Sequence, residues 1–237
     1  MKKHLIIITF MLIAFSCSTA QPYENVDAKT FSALIKKRDG VILDVRTEQE
    51  YLRGHIENST LISTSDPKFV EKVSLLQKNK PLYIYCLSGS RSRAVANYLS
   101  QNGFTNVYNL TRGLLDWNQN GLALAKGTVN QTEHTKTYTA NEFDALLSKN
   151  KLVLVDFYAP WCAPCKKMAP VVADIEKNFS GKALVKKLDV QANQKLQKSY
   201  NVEAIPGFVL FKNGEQVWKH IGMLEYSELA NQIEKHL

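Results

Sequence analysis

The sequence predicts two α/β domains in tandem. Short apolar runs of strand type alternate with segments of helical spacing along most of the chain, the pattern of layered α/β folds with a parallel sheet. The 237 residues suffice for two domains of roughly 100 residues each. A Thr/Gln/Asn-rich stretch without apolar periodicity, 127–137, reads as a linker between 27–126 and 138–237. The two halves are not repeats of one another.

The elements follow in order. Lys2, Lys3 and His4 precede an apolar run, Leu5 to Phe15, broken only by Thr9. That run is short of the roughly 20 residues a membrane helix needs, and its length suits the apolar part of a secretory signal over 1–16. Residues 17–26 read as a tether. Asp27 is a good N-cap for a helix over Ala28–Lys37, which Asp39-Gly40 stops. Val41-Ile42-Leu43 is a buried strand ending at Asp44, and Leu82-Tyr83-Ile84-Tyr85 is another ending at Cys86. Helical spacing runs from Arg91 to Leu99, and Gly103 closes it. On such sheets reactive groups collect at strand C-termini, where Asp44 and Cys86 both fall.

In the second half, Thr139-x-x-Glu142 is a capping box opening a helix through Ser148. Lys151 to Tyr158 is a buried strand carrying one isolated acid, Asp156. Cys162 opens a long helix to about Asn178. A strand over Leu184–Asp189 and a helix over Gln194–Tyr200 follow. Phe208–Lys212 and Glu215–Ile221 flank Asn213-Gly214, a strong hairpin signal. Tyr226–His236 is an amphipathic closing helix.

Apolar content of 45% and charged content of 22% are ordinary for globular domains. The net charge is +8, but its lysines are scattered along helix faces. Scatter of that kind makes a solvated surface, so no nucleic-acid partner is expected.

The chemistry lies in four cysteines, Cys17, Cys86, Cys162 and Cys165. Cys86 stands between a strand end and a helix start, followed by Leu87, Ser88, Gly89, Ser90, Arg91 and Ser92. A Gly/Ser loop lets successive N–H groups point inward as an anion nest, and the helix adds its positive end. Arg91, with Arg93 close by, adds fixed positive charge. All three effects lower a thiol pKa and favour a nucleophilic cysteine carrying an anionic or sulfane group. Cys162-Ala163-Pro164-Cys165 is a C-x-x-C pair opening a helix. Its first thiol is expected exposed and dipole-stabilised, and its second shielded and resolving. Half of a zinc site is the other use of such a pair, but no second C-x-x-C or Cys/His pair exists to complete four ligands. Neither metal nor cofactor is expected.

Leu43-Asp44-Val45-Arg46-Thr47-Glu48-Gln49-Glu50-Tyr51 with Gly54-His55-Ile56 resembles the N-terminal signature of the rhodanese family. Gly103-Phe104, Val107 to Leu110, Gly113 and Trp117 resemble its C-terminal one. The resemblance implies that Cys86 takes up sulfur as a persulfide from thiosulfate or another sulfane-sulfur donor. Leu87, Ser88, Gly89, Ser90 and Ser92 would bind it, with Arg91 completing the cradle. The C-x4-R spacing is one residue shorter than the C-x5-R loop of cysteine phosphatases, which holds a tetrahedral phosphate. Leu87 stands where rhodaneses often carry a basic residue. Asp44 and Arg46 read as a structural ion pair, and His55 as a structural histidine, since a thiolate needs no base.

Val155 to Lys166 resembles the active strand and turn of thioredoxins, and Ile205-Pro206 the segment that carries their cis-proline. This resemblance implies a second domain with a mixed sheet flanked by helices and a Cys162/Cys165 redox disulfide. It also implies that buried Asp156, beside Lys187, assists proton transfer at Cys165. Pro206 and Ile205 would face the dithiol, and Trp161 serves either packing or recognition. Ala163 and Gly207 depart from the usual glycine and threonine.

Leu12-Ile13-Ala14-Phe15-Ser16-Cys17 resembles a bacterial lipobox, which implies cleavage before Cys17 and lipid attachment there. A plain signal peptide cut near Ala20 is the other reading. The expected whole is a periplasm-facing lipoprotein of the bacterial envelope, held to the membrane by its lipid alone. In it Cys86 carries a persulfide, and the dithiol reduces it or exchanges disulfides with protein or small-molecule thiols, recharged by a thioredoxin-type membrane reductant. Two other readings remain: a general disulfide oxidoreductase whose first half only recognises partners, and a non-enzymatic sulfide or redox sensor.

Overall fold

The computed structural model describes residues 23–37, 40–126 and 136–237. The signal segment, Cys17 and linker residues 127–135 lie outside the described residues. The first domain runs β1 (Glu24–Val26), α1 (Ala28–Ile35), β2 (Val41–Asp44), α2 (Glu48–Arg53), β3 (Thr60–Leu61), α3 (Phe69–Ser74), β4 (Leu82–Tyr85), α4 (Ser90–Gln101), β5 (Val107–Leu110), α5 (Gly113–Gln119). The second runs α6 (Ala140–Lys149), β6 (Leu152–Tyr158), α7 (Ala163–Asn178), β7 (Leu184–Asp189), α8 (Gln194–Ser199), β8 (Gly207–Lys212), β9 (Glu215–Ile221), α9 (Tyr226–His236). Two α/β domains are thus present, the first with a parallel sheet and the second with a mixed one.

The first sheet has the order β1-β5-β4-β2-β3, with every pairing parallel. Period-two alternation divides its core. Leu43, Leu82 and Ile84 face one layer with Val95 and Leu99 of α4. Tyr83 and Tyr85 face the other with Phe31 of α1 and Trp117 of α5. All four β4 residues are buried, as a strand covered by helices on both faces must be. The second sheet has the order β7-β6-β8-β9, with β6 parallel to β7 and antiparallel to β8.

Three expectations change. The tether does not reach Val26, because Glu24–Val26 forms β1 alongside Tyr108–Leu110 of β5. Only Val26 of that strand is buried, so its apolar pattern is silent and hydrogen bonds from β5 hold it. Helix α1 ends at Ile35, ahead of the expected Lys37. Helix α4 is longer than the apolar spacing suggested, starting at Ser90 and ending at Gln101.

Asp44 and Arg46 form a buried ion pair at 2.7 Å, and Arg46 Nη2 also donates to the Gly54 carbonyl at 2.8 Å. This pair ties the end of β2 to the end of α2. His55 Nδ1 lies 3.1 Å from the Tyr51 carbonyl, and the two rings stack at 3.7 Å. Burial pushes the imidazole pKa down, against the Tyr51 carbonyl that pulls it up. Removing one member of a buried pair leaves the other charge uncompensated, so Arg46→Ala should cost about 3–5 kcal/mol. Urea unfolding of the full chain at neutral pH measures that loss.

Candidate functional site

Cys86 follows the C-terminal end of β4, and the loop after it turns into α4. The Gly89 N–H donates to Cys86 Sγ at 3.1 Å. The Ser92 hydroxyl lies 3.5 Å from Sγ and 3.2 Å from the Gly89 carbonyl, so its single proton serves one of them at a time. Gly89 adopts φ +94°, and a Cβ there would collide with the Thr111 carbonyl. The cradle therefore requires glycine at this position. The Leu114 and Leu115 amides at the start of α5 donate to the Cys86 and Leu87 carbonyls at 2.9 and 3.1 Å and fix the loop from behind.

Burial pushes the Cys86 thiol pKa up. The Ser92 hydroxyl and the amides of Ser92, Gly89 and Ser88 outweigh that and hold it below the ordinary thiol value. Leu87, 42% exposed, and exposed Ser88 and Ser90 form the outer rim over the buried sulfur. Arg91 has a partner on α2 as well. Its two terminal nitrogens lie 2.8 and 2.7 Å from the Glu50 carboxylate oxygens, so its charge is committed to α2. That pairing holds the Glu50 carboxyl at about 2, aided by the Thr47 amide and hydroxyl and against burial. Hydrogen bonds hold the thiol down, and the Arg91 charge, paired first with Glu50, also interacts with Cys86. Glu50 is the residue sequence reading missed, although its capping box with Thr47 was visible as Thr47-x-x-Glu50.

At the second site Cys162 and Cys165 form a disulfide with Cα atoms 5.3 Å apart. Cys162 is the N-cap of α7, and the Cys165 N–H donates to its Sγ at 3.2 Å. Asp156 on β6 is buried, and its Oδ1 has no hydrogen-bond partner among the described residues. Burial raises its pKa to about 7, while Lys187, its register partner on β7, pulls it back down. The Ile205–Pro206 peptide is cis, and the Pro206 carbonyl accepts from Gly222 N–H at 2.8 Å. A Cβ at Gly207 would run into Val202 Cγ1, which accounts for glycine there. Trp161 Nε1 donates to Gln191 at 2.9 Å.

One expectation fails. Cys162 is 1% exposed, not the open thiol expected of a helix start. It is tied up in the disulfide, and the face around it lies against the first domain. Trp161, next to Cys162, packs against the apolar cluster that contains Cys86. Cys86 lies at the C-terminal end of β4. The dithiol domain meets Gly40, Val41 and Lys80, which precede or begin β2 and β4, across a cleft of about 240 Å³ shared with Pro164 and His220. The Ala163 amide meets Thr60 of β3, which is paired with Leu43 in the C-terminal half of β2.

The family model described as Thioredoxin matches residues 134–235, and the one described as Rhodanese-like domain matches 27–120. A thioredoxin of Staphylococcus epidermidis is 40% identical over 99 residues, which cover 42% of this chain and 94% of that protein. The chain belongs to the thioredoxin family, with a rhodanese-like domain preceding the thioredoxin domain. Thioredoxin Y, chloroplastic, of Oryza sativa subsp. japonica is 40% identical over 103 residues, covering 43% of this chain. The chain spans 61% of that protein's length. Among solved structures, oxidised thioredoxin from Plasmodium falciparum is 36% identical, covers 43% of this chain and 96% of that one, and has a TM-score of 0.38.

Asp156 gives a pH signature. Its folded pKa of about 7 lies above the ordinary 3.8, so the folded chain holds a proton that the unfolded chain has lost. Stability therefore falls as pH rises through that window. Asp156→Asn removes the cost, so its gain should be absent below pH ~4 and approach ~4 kcal/mol above pH ~7, at 1.36 kcal/mol per unit. Denaturant titrations of the oxidised protein at several pH values would reveal it. Ser92→Ala should move the pH midpoint of Cys86 labelling upward, because the largest stabiliser of its thiolate is gone. Iodoacetamide labelling against pH measures that midpoint.

Proposed function

We propose that the chain couples sulfur carriage at Cys86 to thiol–disulfide exchange at Cys162 and Cys165. The observation that carries this reading is a thiol held below its ordinary pKa by a ring of hydrogen-bond donors, in one chain with a C-x-x-C disulfide whose domain also buries an acid at about 7. The thiolate of Cys86 attacks the outer sulfur of thiosulfate or another sulfane donor. The donor's S–S bond breaks, sulfite leaves in the thiosulfate case, and a Cys86 persulfide forms. Cys162 thiolate then takes that outer sulfur and releases Cys86 thiolate. Cys165 attacks Cys162 Sγ, the disulfide closes, and sulfide leaves. The dithiol loses the two electrons that reduce sulfane sulfur to sulfide, and Asp156 near pH 7 is suited to accept the Cys165 proton.

The same dithiol exchanges with protein or small-molecule disulfides, and a thioredoxin-type membrane reductant recharges it. The lipobox-like run ending at Cys17 supports a periplasm-facing lipoprotein of the bacterial envelope. Since each half holds a complete nucleophile, Cys86→Ser should abolish thiosulfate-to-cyanide sulfur transfer and leave insulin disulfide reduction within about twofold. Sulfur transfer persisting in that variant would refute the assignment. In the second half, Cys165→Ser should accumulate mixed disulfides through Cys162, whereas Cys162→Ser should not. Non-reducing gels after incubation with an oxidised partner protein distinguish them, and equal trapping would reverse the assigned roles.

A further inference from the structure

The face around the disulfide is occupied. The Ala163 N–H, between the two cysteines, donates to Thr60 Oγ1 at 3.0 Å. The Ile205 N–H, beside Pro206, donates to the Leu75 carbonyl at 3.0 Å. The Leu75 side chain, 7% exposed, belongs to the apolar cluster that contains Cys162, Cys165 and Ile205, although Leu75 lies in the first domain. The Lys72 ammonium stands 5.8 Å from the Trp161 ring centre. Glu71 accepts from the Gln194 amide at 2.8 Å.

These contacts come from one stretch of the first domain, the edge strand β3 and helix α3 with its C-cap Leu75. They supply a main-chain acceptor, a side-chain acceptor, an aliphatic side chain and a cation to the groups that flank the disulfide. From them we infer that this piece is an intramolecular cap over the dithiol, and that the disulfide exchanges with outside thiols only when the two domains part. The cap also defines its competitor. A partner protein that reaches the dithiol must displace Leu75 and present the same chemistry, an extended segment with an apolar side chain and a free carbonyl for Ile205. Cys86 takes no part in the cap's hydrogen bonds, which come from Thr60, Glu71 and Leu75. The inference therefore does not depend on which sulfur donor Cys86 accepts.

The test is the rate at which dithiothreitol reduces Cys162–Cys165 in the full chain, quenched by alkylation and read by mass spectrometry. Leu75→Glu places a carboxylate in the apolar contact and should raise that rate at least ~10-fold. Thr60→Val combined with Glu71→Ala removes two of the cap's hydrogen bonds and keeps its apolar contact, and should raise the rate ~3-fold. Iodoacetamide labelling of Cys86 in the same samples reports whether the first domain is still folded. Faster reduction with unchanged Cys86 labelling supports the cap. If Leu75→Glu also accelerates Cys86 labelling, it has unfolded the domain, and the double variant decides alone. Wild-type reduction rates in the folded variants would overturn the inference.

Discussion

A sulfur at the junction of a strand and the helix after it meets a ring of backbone N–H groups, and both sites in this chain are built on that constraint. Cys86 Sγ accepts from the amide three residues on, at 3.1 Å, and Cys162 Sγ does the same at 3.2 Å. The first amides of a helix have no partner within it, so a sulfur placed there satisfies a donor and gains the favourable end of the macrodipole. The two domains add different groups to the same local device. In the first, Ser92 and a left-handed Gly89 close the loop around one sulfur. In the second, Cys165 is the partner of the first sulfur, in a disulfide.

What the sequence showed follows from the range of each interaction. The capping box at Thr139, the Asn213-Gly214 turn and the buried strands β4 and β6 are local, and their residues announce them within a few positions. Strand β1 was invisible because it is three residues long with a single buried side chain, and its pairing partner lies more than 80 positions away. The commitment of Arg91 to Glu50 was hidden for a related reason. A capping Glu reads as spent on its own helix, yet its carboxylate accepts from Thr47 and from Arg91 together. Position-by-position reading assigned Arg91 to the sulfur because the two are neighbours in sequence, whereas the better acceptor comes from α2. The burial of the dithiol face had no sequence signal at all, since Thr60 and Leu75 lie about 100 residues from their partners and carry no motif of their own.

The placement of the two sulfurs changes what joining the domains can achieve. Proximity would favour a direct hand-off if both sites opened into one space; Cys86 lies at the C-terminal strand ends, while the dithiol domain borders the β3 edge and the start of β2. A cap over the dithiol that leaves Cys86 out of its hydrogen bonds would let the joined chain order the two proposed steps instead of merging them.

The strength of the contact decides whether such ordering is reversible. Three hydrogen bonds cross between the cap and the dithiol domain, each worth about 1 kcal/mol net. Burial of the Leu75 side chain contributes about 1.5–3 kcal/mol, and the Lys72–Trp161 contact at a partly open site about 0.5–1. Against a gross total of about 5–7 kcal/mol stands the cost of fixing one domain on the other and of ordering the side chains between them. A contact of that size shields the disulfide from passing thiols yet yields to a partner that offers Ile205 a carbonyl and replaces Leu75. Had the interface been a large apolar surface, the domains would form one fixed body and the dithiol would be inert. Had it been polar alone, the dithiol would stand open and the first domain would have no influence on it.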